Sequence, residues 1–527
     1  MASHPTTSLR HRLAAAGAGG AVLAVSRPPL DWGPLVIVGI CLIVWSWRSQ
    51  SCGRAALLGF VAGATYYTFL VSWAWYFGAI AIVPFVAILA LSMAGIGAAV
   101  ALLEARWGLR SPWFSAATWV ILEAGLARWP LGGFSWGEMG SAWHDIAPIR
   151  KLAAVGGVPL LTFVTVAFAG FLLEMFQAAK RQDRSHLLWA GVGMGALVLV
   201  IGGGAIFPAM SERSGTLRFA LLQGNDLNRD LTPVERAIRY LPASHLALAE
   251  DLTGKFDLVV FPESSLDDDP RTDSALRKHL THLARRLDTW VLTNSTALAP
   301  DRHVFNMNYL YQPDGRLVGT YAKRHLVPFG EWVPWRSFLS WIPELDQTPY
   351  DHAPGEKPGV FRVKDRKITT VICFESAFAH EVRPLIREGA ELIVVSTNNH
   401  AFRRSANSAQ HVALSQLRAV ETERSVLHAA NSGVSAVVDA RGDIRDSSDL
   451  FERTVLGGVT ELRTGKTLYV RFGDWIVLLS LGLLGVSIFA KMFSKKKRRS
   501  QCLDSADTGI SQLSSPPTFL DVPGDSS

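Results

Sequence analysis

Apolar residues occur in two kinds of run along this 527-residue chain. Up to about residue 207 they form long blocks, at roughly 10–26, 33–47, 56–77, 79–103, 112–127, 158–178 and 187–207. Several approach the roughly 20 residues a helix needs to cross a bilayer. Between about 215 and 470 the runs shorten to strand length and alternate with amphipathic stretches, the signature of an α/β sheet. A last long block, Trp475 to Phe493, is followed by the basic run Lys495 to Arg499 and a tail rich in Ser, Asp and Pro.

Within the middle block the pattern predicts strands at Leu217–Leu222, Leu258–Phe261, Trp290–Thr293, Ile368–Cys373, Leu392–Ser396 and Val434–Val438. Helical stretches are expected near 233–252 and 273–287. Gln312-Pro313-Asp314-Gly315 has the composition of a hairpin turn.

Charge orders the long blocks. Arg10 and Arg12, Arg48 and Arg54, Arg106 and Arg110, and then Lys180, Arg181 and Arg184 fall in alternate connections, which the positive-inside rule assigns to the cytoplasm. Arg128, Arg150 and Lys151 break the pattern on the other side. Seven spans starting inside place the middle block outside, and the last helix brings the chain back. The first block also fits a cleaved signal peptide, with its basic start and small residues. The expected division is a membrane part at 1–210, a soluble block at 215–470, a single helix at 474–493 and a basic, then disordered, cytoplasmic tail at 494–527.

Composition agrees. Charged residues make up 18% of the chain, below the roughly 25% of soluble proteins, and the mean hydropathy is +0.20. The formal charge of +7 owes much to the run beside the last helix. With no stripe of basic and aromatic residues in the polar block, nucleic acid is not an expected partner.

Of the four cysteines, Cys41 lies in a predicted span, Cys52 and Cys502 on the cytoplasmic side, and Cys373 alone in the middle block. A lone thiol there is either a buried hydrophobe or a reactive group. Three segments end in groups suited to nucleophilic catalysis: D-L-V-V-F-P-E-S-S carries Glu263, Y-A-K-R-H-L-V-P-F-G-E carries Lys323, and K-I-T-T-V-I-C-F-E-S carries Cys373. In a doubly wound sheet such strand ends can meet. A thiol needs a base for its proton, the part open to Glu263. Its tetrahedral intermediate needs a cation or N–H donor for the oxyanion, the part open to Lys323 and the N–H of Phe374. Glu331 and Glu375 are candidates to orient the lysine or the base. Read singly, Glu263 also fits a loop cap and Lys323 a solvated charge.

Taken together, F-P-E-S (261–264), K-R-H-L-V-P-F-G-E-W-V-P (323–334), C-F-E (373–375), S-T-N-N (396–399), Q-L-R-A-V-E (416–421) and N-S-G-V-S-A-V (431–437) resemble the nitrilase superfamily. With Glu123 and Gly133-Phe134-Ser135-Trp136 in the membrane part, the chain is similar to the apolipoprotein N-acyltransferase family over most of residues 1–490. The resemblance implies a multi-pass α-helical membrane domain plus an α/β nitrilase-like αββα sandwich on the extracytoplasmic face of a bacterial cytoplasmic membrane. It also implies acyl transfer in two steps: from a phospholipid donor to Cys373 as a thioester, then to the α-amino group of a diacylglyceryl-cysteine at an apolipoprotein N-terminus. Carried over residue by residue, Cys373 is the nucleophile, Glu263 the base and Lys323 the oxyanion partner. Glu331 and Glu375 match two further glutamates needed for activity. No cofactor or metal is implied, and the chain is expected to act as a monomer.

Trp332, Trp335, Phe338 and Trp341 recur at threes between Lys323 and Cys373, either as an interfacial arm admitting an acyl chain or as a packed insertion. Asn398 and Asn399 are candidate substrate contacts. The chain departs from the family at D-L-N-R-D-L-T-P after Q-G-N (223–225), and at H-A-F-R-R after S-T-N-N, which places His400, Arg403 and Arg404 near the expected entrance. Two other readings remain: a membrane-tethered nitrilase-type amidase acting on small amides, and a non-catalytic lipid-binding scaffold.

Overall fold

The computed structural model describes residues 8–225, 232, 240–299, 303–343, 345, 348 and 350–511, with side chains described up to 494. The first part is a bundle of α1 (Leu9–Val25), α2 (Leu35–Trp47), α3 (Cys52–Leu70), α4 (Ala79–Trp107), α5 (Pro112–Leu126), α6 (Ala153–Arg181) and α7 (Arg184–Ile206). By length and composition α4, α6, α7 and the stretch Trp475–Ser494 are able to cross a membrane; α2 is apolar but shorter. α1 packs into the bundle through Ala16 and Leu23, both fully buried. Where α3 and α4 cross, small residues set the distance: a Cβ on Gly59 would lie 2.4 Å from the Met93 carbonyl oxygen. α6 bends at Gly157, whose φ of 69° suits glycine, and a Cβ there would meet the Tyr469 ring at 2.5 Å.

The middle block folds as two six-stranded sheets. The strands are β1 (Ser211–Gln223), β2 (Leu258–Val260), β3 (Trp290–Leu298), β4 (Val304–Tyr311), β5 (Leu317–Ala322), β6 (Val360–Val363), β7 (Arg366–Ile372), β8 (Ile393–Thr397), β9 (Val426–Ala430), β10 (Ala436–Val438), β11 (Ile444–Ser447) and β12 (Thr454–Gly465). Their orders are β12-β1-β2-β3-β4-β5 and β11-β10-β9-β8-β7-β6. β1, β2 and β3 run parallel, as do β7, β8 and β9, and the outer strands are antiparallel.

Strand alternation builds the layers. In β1, Leu217, Phe219 and Leu221 face the second sheet, while Ala220 and Leu222 face α8 (Tyr240–Glu250) and α9 (Ser274–Leu287). In β7, Ile368 and Ile372 enter the same inter-sheet core, and Val371 faces α10 (Ala379–Arg387) and α11 (Asn407–Thr422). The result is the expected αββα sandwich. One expectation needs correcting: the three motif-bearing segments do not belong to one doubly wound sheet. β2 and β5 lie in the first sheet and β7 in the second, so the site forms where the two sheets face each other.

The predicted strands appear with shifted ends, and β4 and β5 form the expected hairpin. Gly315 closes its turn with a φ of 83° and an N–H donated to the Gln312 carbonyl at 2.8 Å. Part of the helix expected near 233–252, and most of the D-L-N-R-D-L-T-P departure, lie outside the described residues. The chain returns through α12 (Trp475–Ser511), which runs on past the basic run. The rest of the tail, expected to be disordered, also lies outside the described residues.

Candidate active site

Four ends of structure converge. β2 stops at Val260, and Phe261 and Pro262 carry the chain to Glu263. β5 stops at Ala322, one residue before Lys323. β7 stops at Ile372, and Cys373 starts a single 3-10 turn with φ at 51°. A positive φ on a cysteine is a strained conformation, held by the surrounding structure and typical of residues presented for chemistry. Asn398 follows the end of β8 at Thr397.

Lys323 is almost wholly enclosed, with 1% of its surface exposed. Its Nζ donates to Glu331 Oε1 at 2.9 Å and to Glu263 Oε1 at 3.3 Å. Burial alone would lower its pKa, but the two carboxylates and the nearby Cys373 outweigh it and hold the ammonium well above the ordinary lysine range. Asn306 Nδ2 donates to the same two carboxylate oxygens, at 2.7 Å to Glu263 and 3.1 Å to Glu331. The second oxygen of Glu263 accepts the Asn398 N–H at 2.8 Å, and that of Glu331 accepts the Val327 N–H at 2.8 Å. For Glu331, burial opposes ionisation, but Lys323 and these donors together hold its carboxyl below the usual range.

Cys373 faces this group. Burial, reinforced by the Glu263 charge, pushes its thiol up to about 12; Lys323 and a hydrogen bond with Thr397 oppose the shift. At neutral pH the group is a thiol and not a preformed thiolate, so any attack by it would need a base to remove its proton. The Cys373 carbonyl oxygen accepts from Ser376 Oγ at 2.9 Å and from His411 Nε2 at 3.1 Å. Burial drives the His411 pKa down to about 4, so the ring is neutral at physiological pH.

Glu375 is held by a separate set of donors. It accepts the Ile372 N–H at 2.7 Å, the Arg324 N–H at 2.7 Å, the His325 N–H at 3.1 Å and the Tyr321 hydroxyl at 2.8 Å. Its burial raises its own pKa, and these donors partly counter the rise. The side chain thus ties the end of β7 to the backbone just beyond Lys323. The sequence offers it as an orienter of the lysine or the base; its bonds here go to the backbone of Arg324 and His325, the two residues after Lys323.

The remaining candidates separate. Asn399 is buried, with Nδ2 donating to Asn407 Oδ1 at 2.7 Å. Trp332 is half-buried, whereas Trp335, Phe338 and Trp341 are 70%, 78% and 67% exposed. Phe374 turns to the membrane part: its ring lies 6.4 Å from both Phe134 and Trp136. Glu123 organises that loop, accepting from Trp119 Nε1, the Met139 N–H and Thr162 Oγ1 at 2.8 to 3.0 Å. Asn306, Gln410 and His411 escaped sequence reasoning. Asn306 sits in a strand alternating Asn with hydrophobes, N-M-N, a pattern of buried polar side chains that carried the only available signal. Among the described residues one grouping has metal-ligand chemistry, His325, His380 and Glu381, with ligand atoms within 4.8 Å of one another. It lies behind Phe378, outside the thiol's polar shell.

Comparison with known proteins accounts for both halves. Residues 19–171 match the family model of the apolipoprotein N-acyltransferase N-terminal domain, and residues 220–462 match that of carbon-nitrogen hydrolases. An apolipoprotein N-acyltransferase of Geobacter metallireducens is 29% identical, with 91% of this chain and 94% of that protein covered. One of Nitrosomonas europaea is 28% identical, with 92% and 99% covered. Among solved structures, a Saccharomyces cerevisiae member of branch 10 of the nitrilase superfamily aligns with 48% of this chain and 92% of its own, at 20% identity and a TM-score of 0.36. Both halves are matched in order, and proteins named apolipoprotein N-acyltransferase align with the chain nearly end to end, so the chain is similar to that family along most of its length.

Proposed function

We propose that this protein moves an acyl chain from a phospholipid to the α-amino group of the N-terminal diacylglyceryl-cysteine of apolipoproteins, through a thioester on Cys373. The observation that carries the reading is the setting of the thiol. The Glu263–Lys323–Cys373 group is backed by polar partners on one side, and on the other Phe374 packs into aromatic loops of the membrane part, where a lipid-borne substrate arrives.

In the first half-reaction Cys373 Sγ attacks the ester carbonyl carbon while Glu263 takes the thiol proton. The carbonyl oxygen becomes an oxyanion. Lys323 gives two of its three N–H bonds to Glu263 and Glu331, leaving one for that oxygen beside the Phe374 N–H. As the intermediate collapses, the C–O bond breaks and Glu263 returns its proton to the lysophospholipid hydroxyl. In the second half-reaction the lipoprotein amine attacks the thioester carbonyl and Glu263 accepts a proton from the nitrogen. The C–S bond then breaks and Cys373 leaves to be reprotonated. Every charged participant comes from one chain, which supports a monomeric catalyst.

The proposed topology has seven spans before the catalytic block and one after, with that block outside a bacterial membrane. Three alternate connections touch the catalytic block: Pro28 and Leu70 bond to Gln410, and Ser135 to Ala377. The Arg-rich connections at 48–54, 106–110 and 180–184 belong to the opposite set. The proposed domain limits are 1–210, 215–470 and 474–493, and the aromatic arm of Trp335, Phe338 and Trp341 is assigned to the lipid interface.

The test incubates purified protein with a phospholipid labelled in its acyl chain. A hydroxylamine-sensitive adduct on Cys373 that a diacylglyceryl-cysteine peptide discharges is the expected outcome. Absence of an adduct together with hydrolysis of small amides would reverse the reading.

A further inference from the structure

α11 is polar by sequence yet buried along nearly its whole length, because the second sheet covers one face and the membrane part the other. Gln410, on its membrane side, is 5% exposed. Its Oε1 accepts two indole N–H bonds, from Trp136 at 2.8 Å and Trp73 at 3.1 Å. Its Nε2 donates to two backbone carbonyls, Leu70 at 3.1 Å and Pro28 at 3.2 Å. Two obligate donors on one side and two obligate acceptors on the other fix the orientation of the carboxamide. No other side chain type of this length offers that combination. A glutamate would face two carbonyl oxygens with a carboxylate, and an apolar isostere would leave four buried polar groups without this partner.

The four contacts reach the connections α1–α2, α3–α4 and α5–α6, so one side chain fastens three membrane-part loops to the catalytic block. The next residue, His411, holds the Cys373 carbonyl. Trp136, bonded to Gln410, faces Phe374, and Trp73 packs on Phe402 at 4.9 Å. The first turns of α11 therefore grip the nucleophile's backbone with one residue and the aromatic surface beside it with its neighbour.

We propose that Gln410 is a positioning residue: its carboxamide sets the seating of the membrane-part loops against the thiol, and so governs how a long acyl chain is received, without entering the proton transfers. The proposal rests on the acyl-transfer reading above. It has a readout of its own, because Gln410 bonds to Trp73, Trp136, Leu70 and Pro28 and to none of Glu263, Lys323 and Cys373.

The experiment compares acylation of Cys373 in the full-length, detergent-solubilised protein by two soluble esters with the same leaving group, p-nitrophenyl acetate and p-nitrophenyl dodecanoate. Phospholipid vesicles serve as a third donor. Gln410→Met is expected to lower the dodecanoate-to-acetate ratio of kcat/KM by about tenfold, the scale of a small misplacement of a bound group. The acetate rate, and the pH profile of Cys373 alkylation, should stay at their wild-type values. Trp73→Phe keeps an aromatic ring at the position and removes one indole N–H, so a smaller drop in the same ratio is expected; it decides the matter if Gln410→Met does not fold. An unchanged ratio, or an equal loss with both esters, would overturn the proposal, the second result marking a purely structural role. A wild type acylated by the soluble esters but not by phospholipid defeats the acyl-transfer reading, and the ratio still decides the role of Gln410.

Discussion

Glu263→Gln should slow acyl transfer and at the same time make Cys373 easier to alkylate. In the wild type the thiol is pushed up to about 12, first by burial and then by the Glu263 carboxylate, with Lys323 pulling the other way. At pH 7.5 about three thiols in 10⁵ are then ionised, against about three in 10² for the ordinary value of 9.0. The logarithm of the iodoacetamide alkylation rate should accordingly climb about one unit per pH unit from pH 6 to 10 without a plateau. Replacing Glu263 by Gln removes the anion facing the thiol and leaves the ammonium. Because a neighbouring anion disfavours a thiolate, its removal lowers the thiol pKa, by about one unit on the scale of a single close charge. Alkylation at pH 7.5 should rise about tenfold. Thioester formation from phospholipid should fall by about 10²- to 10⁴-fold, since no base remains. The rates are read by mass spectrometry of the Cys373 peptide in a protein carrying Cys41→Ala, Cys52→Ala and Cys502→Ala. A wild-type plateau below pH 8 would mean a preformed thiolate–ammonium pair, and slower alkylation in Glu263→Gln would mean the carboxylate assists rather than opposes. Either result refutes the electrostatic argument.

Lys323→Met leaves two buried carboxylates facing each other without their shared cation, so a loss of about 3–5 kcal/mol is expected by denaturation. Adding Glu331→Gln should restore much of that stability and none of the acyl transfer. Glu375→Gln replaces an acceptor of four donors with an amide that can satisfy only part of them; about 1–3 kcal/mol should be lost, with a lower kcat from a displaced Lys323. Trp335→Ser combined with Phe338→Ser and Trp341→Ser should lower kcat/KM for vesicle-borne phospholipid by about tenfold while sparing a soluble ester, if the arm meets lipid. For topology, an impermeant maleimide should label Lys255→Cys in intact spheroplasts and Arg110→Cys only after lysis; the reverse labelling would invert the proposed orientation.

The pieces of the site legible in the sequence were those whose chemistry is carried by residue type and local context. Glu263 and Cys373 each follow a short buried strand, and Lys323 follows a hairpin arm whose turn is written in Gln312 to Gly315. Which sheet each strand joins was not legible. β2 and β7 have the same β-branched, apolar composition, and nothing in either states that they face each other across a core rather than lie edge to edge. α11 hid for a different reason. By type alone its Gln, His, Ser, Arg and Glu positions do not mark a buried helix, and only the membrane part laid over them turns those side chains into buried partners: Gln410 to four groups, and Gln416 to His144 and Gly442. Polar pattern reports solvent only when the solvent-facing side has no second domain on it.

The same overlay explains the flaw in the charge pattern. Arg128, Arg150 and Lys151 lie in connections that the positive-inside rule expects to be poor in cations, and each is committed to a protein contact. Arg128 pairs with Asp474 at 2.5 Å, beside the start of α12. Arg150, 1% exposed, bonds to Asp443 at 2.6 Å and to the carbonyls of His144 and Gly442. Lys151 donates to the Ala205 carbonyl at 2.9 Å, at the end of α7. A topology rule acts on charges that interact with the membrane during insertion, whereas these three fasten the α5–α6 connection to the catalytic block, to α12 and to α7. The three exceptions thus mark where the membrane part is bolted to the rest of the chain, and they do not count against the proposed orientation, in which the Arg-rich set faces the cytoplasm.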